Sequence, residues 1–254
     1  MLDFTGKTVI ITGGGSGIGK AASLLLAKQG AAIHIIELNQ QQADDTVAEI
    51  KKNGGNGFVH VCDVGNQQEV AKAFKEIGKV DVLVNNAGIA HIGKADTTSE
   101  SDFDRIFNVN VKGYYNCMHE AIPLMKAKGK GVILNVCSVA AQMGITERFA
   151  YSMSKGAIYS MTLSVAKDYL QDNIRCNSIS PARVHTPFVD EYLQKNYPGK
   201  EKEMYDALSK TQPIGRMGIP EEIASLIVYL CSDEASFITG CDYPVDGGFT
   251  KLNT

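Results

Sequence analysis

Thr8-Val-Ile-Ile-Thr12-Gly-Gly-Gly-Ser16-Gly-Ile-Gly19 is the stretch on which the fold turns. Its first half is a short β-branched run, which favours a strand. Its second half is a glycine-rich turn, and beyond it Ile18, Ala21, Ala22 and Leu25 recur at i, i+3, i+4 and i+7, the signature of a helix with one buried stripe. A strand, a glycine turn and a helix aim free backbone N–H groups and the positive end of a helix dipole at one point, a ready site for a phosphate. The spacing is Gly13-x-x-x-Gly17-x-Gly19, not the common Gly-x-Gly-x-x-Gly. Structural turns also collect glycine, so the strand–helix context carries the nucleotide-binding expectation.

Outward from that turn the pattern repeats. Ala32-Ile-His-Ile-Ile-Glu37 is a second apolar run, ending in an acid 18 residues beyond Gly19. A carboxylate there accepts both ribose hydroxyls of a dinucleotide and repels a 2′-phosphate, which favours NAD over NADP. The alternative for Glu37 is a solvated acid at a strand end. Residues 40–52 are expected to be helical, 53–57 a glycine-rich loop, and Phe58–Val64 a third strand that brings Asp63 toward an adenine ring. A helix over 67–77 follows, then a fourth strand over 80–84 running into Asn85-Asn-Ala-Gly88. A helix is expected over 99–126, a fifth strand over 131–138, a helix over 151–170 and a sixth strand over 174–181, stopped by Pro181. A last helix (220–232) and a strand near 243–248 close the chain. Alternation of this kind predicts an α/β protein: a doubly wound parallel sheet with helices on both faces. Ligands then lie at the carboxyl ends of the strands, where Gly13, Glu37, Asp63, Asn86 and Ser138 converge.

Ser138 precedes Tyr151 by 13 residues, and Tyr151 and Lys155 stand at i, i+4 on one helix face. An ammonium beside a phenol favours the phenolate, and a hydroxyl can polarise a substrate oxygen while the phenol moves its proton. Tyr-x-x-x-Lys alone equally describes a tyrosine packed on a lysine stem. Asn110, in mid-helix, reads either as a local distortion or as part of a proton relay, since a buried amide there needs partners.

Composition narrows the field. The 254 residues, 44% hydrophobic and 21% charged, suit one domain spanning 1–254 with a core of its own. A net charge of −3 argues against a nucleic-acid partner. No apolar run approaches the ~20 residues that span a bilayer, and the first residues lack the pattern of a signal peptide. Six widely spaced cysteines without a Cys-x-x-Cys pair read as core residues of a reducing compartment, so a cytoplasmic location is expected. Five scattered histidines form no ligand set, and no metal is expected. Residues 186–212 interrupt the alternation with a polar, aromatic-rich insert beside the site edge, a natural lid over substrate.

Taken together, Thr12–Gly19, Asn85-Asn-Ala-Gly88, Asn110, Ser138, Tyr151-x-x-x-Lys155 and Asp246-Gly-Gly248 resemble the short-chain dehydrogenases/reductases, in order, from about residue 5 to 249. The resemblance implies a single Rossmann-fold domain and an NAD-dependent oxidoreductase acting on a secondary alcohol. It implies Tyr151 as acid/base, Lys155 supporting the phenolate and the nicotinamide ribose, Ser138 orienting the substrate oxygen, and Asn110 holding a water that links Lys155 to solvent. Cofactor contacts fall on Gly13, Ser16, Gly17, Ile18 and Gly19, on Glu37, Asp63 and Val64, on Asn86 and Gly88, and on Pro181, Val184 and Thr186. A homotetramer pairing helices near 99–126 and 151–170 is also implied. Two departures stand out: Pro181-Ala182-Arg183 where Pro-Gly is usual, and Cys137 in place of a frequent serine.

For the substrate, Arg148 lies three residues before Tyr151, with Gln142 and Arg183 as further candidates. A guanidinium grips a carboxylate bidentately, so a small hydroxy acid or sugar acid is expected. Glu147-Arg-Phe-Ala-Tyr151 is similar to members acting on 3-hydroxybutyrate-like acids and deoxy sugar acids. Arg148 pairing with Glu147 or a neighbouring subunit is the other possibility. Two competing functions remain: an NADPH-dependent 3-oxoacyl-carrier-protein reductase, which wants a basic docking patch that Lys126-Ala-Lys-Gly-Lys130 is too short to establish, and a non-catalytic NAD(H)-binding regulator.

Overall fold

Hydrophobic residues at consecutive positions of one strand need cover on both faces, and this sheet has it. The structure is a computed structural model and describes residues 2–252; Met1, Asn253 and Thr254 lie outside the described residues. The elements run β1 (Thr8–Thr12), α1 (Gly17–Lys28), β2 (Ala32–Glu37), α2 (Gln40–Lys52), β3 (Asn56–Val61), α3 (Gln67–Ile77), β4 (Val82–Asn85), α4 (Glu100–Ile106), α5 (Gly113–Lys128), β5 (Gly131–Val136), α6 (Phe149–Asp168), β6 (Ile174–Pro181), α7 (Pro187–Asn196), α8 (Glu201–Lys210), α9 (Pro220–Cys231) and β7 (Asp242–Val245). The sheet has the order β3-β2-β1-β4-β5-β6-β7, and every pairing is parallel. Strand order reverses between β1 and β4, which makes the crevice beyond their carboxyl ends the switch point where such sheets bind ligands.

The strand period of two sorts the core into two layers. Val9, Ile11, Ile33 and Ile35 pack with Ala22 and Leu26 of α1, Val47 of α2 and Ile227 of α9. Ile10, Ile36, Leu83 and Ile133 face the other way, onto Phe74 of α3, Tyr114 and Met118 of α5, and Ile158 of α6. The expected α/β class, the parallel sheet and the helices on both faces are all present.

Several boundaries depart from expectation. The loop predicted over 53–57 ends early, because Asn56 and Gly57 already pair with Ala32 and Ile33 as the edge strand. Gly57 serves there because the side chains of Val47 and Ile50 crowd the space a Cβ would take. The helix expected over 99–126 is broken: Phe107–Lys112 form a π-helical turn between α4 and α5. The fifth strand stops at Val136, and Ser138 caps a short 3₁₀ turn over Val139–Ala141 instead. The insert is not irregular. It carries α7 and α8, with Pro187 at the first helical position of α7, where its fixed φ and missing N–H cost nothing.

Candidate active site

The glycine turn sits where β1 delivers it. Gly13 adopts φ +66°, a left-handed conformation that an L side chain resists. Gly19 is constrained by space: a Cβ there would lie 2.0 Å from the Gly13 carbonyl oxygen and 2.6 Å from Asn86 Nδ2. Asn86 locks the turn from β4, with Nδ2 donating to the carbonyls of Thr12 and Gly13 at 3.0 Å each. Thr12 Oγ1 returns the favour, accepting from the N–H groups of Asn86 and Ala87.

Glu37 ends β2 inside the same cleft. One carboxylate oxygen accepts from Gly15 N (3.2 Å), the other from Leu38 N (2.9 Å) and Asn39 N (3.3 Å). Asp63 follows β3, its Oδ1 accepting from Gly65 N, and Val64 is held through its carbonyl by Asn116 Nδ2. These residues line a cavity of about 360 Å³ with Gly13, Ser16, Gly17 and Ile18, and neither Lys nor Arg lines it among the described residues.

That cleft continues into a second cavity of about 380 Å³, the two sharing Ile18, Asn86, Gly88, Ile89, Thr186 and Phe188. Ser138, Tyr151 and Lys155 all line the second cavity, with Pro181, Val184, Arg148 and Arg183. Lys155 is 5% exposed, and its Nζ donates to the Val136 carbonyl at 2.8 Å, 5.7 Å from the centre of the Tyr151 ring. Tyr114 Oη donates to the same carbonyl, which fixes that end of the site from α5. Cys137 Sγ donates to the Lys155 carbonyl at 3.1 Å, and burial pushes its thiol pKa up, so this departure from serine is a packing contact.

Asn110 is fully buried in the π-helical turn, and its amide is committed. Oδ1 accepts from Ile89 N (2.9 Å), while Nδ2 donates to Ile89 O (2.9 Å) and to Ser154 Oγ (3.0 Å). Ser154 Oγ in turn donates to the Tyr151 carbonyl at 2.7 Å. Asn110 therefore fastens the loop after β4 to the helix that carries Tyr151. The expected local distortion of the helix is present as this π-helical turn, and the side chain it carries holds Ile89 and Ser154.

Arg148 is placed by strain. Glu147 before it holds φ +57°, costly for a non-glycine residue, and is kept there by Gly93, whose N–H donates to the Glu147 carbonyl. Arg148 Nη1 donates to the Glu147 carbonyl (3.2 Å), whereas the Glu147 carboxylate turns to Lys94 (3.9 Å). The structure does not bring Gln142 to this group. Its Nε2 donates to Asp242 Oδ2 at 2.7 Å, toward β7, and Gln142 does not line the cavity. Tyr192 and Gln212 of the insert do line it, as do Phe188, Met217 and Phe249. The sequence signalled this group only through the aromatic content of residues 186–212.

Two observations fit the site to a dinucleotide. Lys155 is a buried ammonium with one hydrogen-bond acceptor among the described residues, leaving donors for ribose hydroxyls. The glycine turn presents backbone at a helix N-terminus with no room for a side chain at position 19. Among the described residues no cluster of three His, Cys, Asp or Glu is arranged to hold a metal, and no helix is long and apolar enough to cross a membrane.

A parallel sheet of this order with a Ser–Tyr–Lys set beside a dinucleotide crevice defines a nicotinamide-dependent oxidoreductase of alcohols and ketones. The comparisons agree. The family described as enoyl-(acyl carrier protein) reductase matches residues 13–250. An uncharacterized oxidoreductase of Thermotoga maritima is 39% identical over 253 residues, covering 99% of this chain and 100% of its own. Dehydrogenase/reductase SDR family member 6 of Aquarana catesbeiana is 38% identical over 246 residues, covering 96% and 98%. Among solved structures, L-sorbose reductase from Gluconobacter frateurii complexed with NADPH and L-sorbose superposes with a TM-score of 0.94 at 28% identity, covering 99% of each chain. NAD+-bound xylitol dehydrogenase gives 0.89 at 30% identity, covering 96% and 99%. The chain belongs to the short-chain dehydrogenase/reductase family.

Proposed function

We propose that this protein is an NAD-dependent dehydrogenase of a small hydroxy acid or sugar acid. The observation that carries the substrate class is the charge of the cavity around Tyr151. Its lining includes Lys155, Arg148 and Arg183 and, among the described residues, no Asp or Glu. Lys155 is committed to the Tyr151 phenolate, and the two guanidiniums that remain, with no carboxylate in the described lining, favour an anionic ligand; the apolar part of the lining, with Ile92, Ile145, Val189, Leu208 and Met217, suits a short, sparsely hydroxylated chain.

Bound NAD supplies the hydride acceptor. Tyr151 takes the hydroxyl proton in oxidation and returns it in reduction, with Ser138 Oγ orienting the reacting oxygen and Lys155 stabilising the phenolate. Arg148 holds the substrate carboxylate, and the insert 186–212 covers the site as a lid. Asn110 supports this set by fixing Ile89 against Ser154; a proton-relay water at Asn110 has only the second lone pair of Oδ1 or the main chain to use. Support for NAD over NADP is Glu37 at the ribose end of a cleft that, among the described residues, no Lys or Arg lines, so that a 2′-phosphate there would meet a carboxylate and no cation. The same cleft weighs against an NADPH-dependent acyl-carrier reductase. A homotetramer fits the exposed Tyr115 of α5 and Leu163 of α6, and free, mostly buried cysteines fit a reducing cytoplasm.

The direct test is Arg148→Ala with matched acidic and neutral alcohols. Loss of a charged hydrogen bond of about 1.5–3 kcal/mol raises KM for the acid about 10- to 100-fold, with little change for the neutral alcohol. Equal effects on both would remove the carboxylate contact from the account.

A further inference from the structure

Arg183 makes a contact that the chemistry above does not use. Its backbone is pinned to the segment before α9, the carbonyl accepting from Gly218 N at 2.9 Å. Its Nε donates to Thr211 Oγ1 at 3.0 Å, and Thr211 is the residue that closes α8, its hydroxyl donating to the Leu208 carbonyl at 2.6 Å. The two amino groups of Arg183 have no partner among the described residues. They belong to a half-buried side chain lining the same cavity as Arg148, and the two like charges press on each other, since burial and then Arg148 hold the Arg183 guanidinium below its ordinary pKa.

The helix at the other end of this contact is weakly held. Only Ser209 among the ten residues of α8 is buried, and few buried contacts mark an element that opens locally. Other ties between the insert and the 183–186 segment are polar or edge-on: the Thr186 carbonyl accepts from Val189 N and Asp190 N, His185 Nε2 lies 2.8 Å from Asp190 Oδ1, and the His185 ring lies 4.9 Å from that of Tyr205.

We propose that Arg183 is a second arm of the carboxylate site and the latch of the lid, so that an acid held by Arg148 and Arg183 fastens α8 through Thr211. The proposal rests on the hydroxy-acid reading of the cavity. Without an anion, two neighbouring guanidiniums repel, and a single hydrogen bond keeps Arg183 on Thr211. An anion between them turns repulsion into attraction and keeps Arg183 in place. Coupling of this kind is reciprocal, so a fastened lid also tightens acid binding. Arg183 is then a specificity-determining residue, and Thr211 a positioning residue that acts through it.

The test is limited tryptic cleavage of the full chain with NAD present, followed at the exposed Lys195, Lys200, Lys202 and Lys210. The probes are 3-hydroxybutyrate and its methyl ester. The acid is expected to slow cleavage at these lysines and the ester to leave it unchanged. Arg183→Met is expected to raise the concentration of acid needed for protection about 10- to 100-fold, the range for a lost charged hydrogen bond. Thr211→Val is expected to lose the protection and to raise KM for the acid only by about the factor by which the acid protects the parent, less than Arg183→Met, which also loses its direct contact with the acid. Protection of Thr211→Val equal to that of the parent overturns the latch. Oxidation of acids without any protection overturns the latch and leaves the substrate class standing. Protection by an acid that is never oxidised keeps the latch and overturns the assigned reaction. Neither protection nor oxidation overturns both.

Discussion

Replacing Asn110 by alanine removes three hydrogen bonds from a fully buried position and is the sharpest structural test of how the site is held. The main loss falls on Ile89, whose N–H and C=O both lose their Asn110 partner. A buried polar group left unsatisfied costs about 1–3 kcal/mol. Ser154 Oγ keeps its bond to the Tyr151 carbonyl, so its share is smaller. Ile89 is half-buried and lines the cavity, so water replaces part of what is lost; the sum is about 2–3 kcal/mol, which at ~2–4 °C per kcal/mol for a chain of this size lowers Tm by about 4–12 °C. Thermal unfolding followed by circular dichroism reads the shift, with turnover measured well below the lowered Tm. A fall in Tm under about 3 °C with turnover abolished would refute the fastening role and leave Asn110 a purely chemical one.

Three other outcomes follow from the same geometry. Tyr151→Phe is expected to abolish turnover and to leave NADH binding, measured by fluorescence, within a few fold; near-normal turnover removes Tyr151 from the acid/base role. Glu37→Ser is expected to shift the NADP-to-NAD ratio of kcat/KM toward NADP by roughly tenfold or more, as a unit charge pair a few ångströms apart at a partly exposed site is worth a few kcal/mol at most; an unchanged ratio places cofactor choice elsewhere. Stability is expected to fall as pH drops from about 6.5 to about 4. Burial, then the neighbouring His60, hold the His34 pKa down to about 4 from the ordinary 6.5, so in that window the unfolded chain binds the proton and the folded one does not. His34→Phe is expected to flatten this slope in Tm against pH, and an identical slope contradicts it.

Much of this was legible in the sequence because local chemistry and tertiary demand agree there. The β1 run, the glycine turn and the α1 stripe each read the same way alone and together, and the residues expected at the strand ends do converge on one crevice. What was not legible depended on partners distant in the chain. Gly57 reads as loop, yet it is strand because it pairs with Ile33 of β2, and Val47 of α2 crowds the place of a side chain there. The π-helical turn was signalled only as a distortion at Asn110; its form follows from Ile89 and Ser154, partners that the spacing of residues 107–112 does not show. Gln142 lies four residues after Ser138 and points away because Asp242, a hundred positions on, captures its amide. The hold of Arg183 on Thr211 is equally invisible, since the two meet only after β6 and α8 are placed.

The central claim is tested most directly by NADH formation from purified protein with NAD, across 3-hydroxy acids, aldonic and deoxy sugar acids, free sugars and neutral secondary alcohols, with NADP in parallel. The account predicts turnover with NAD that favours acids with few hydroxyls over every neutral alcohol. Turnover of neutral alcohols alone, or a preference for NADP, would contradict the reading of Arg148, Arg183 and Glu37 while leaving Ser138, Tyr151 and Lys155 in place.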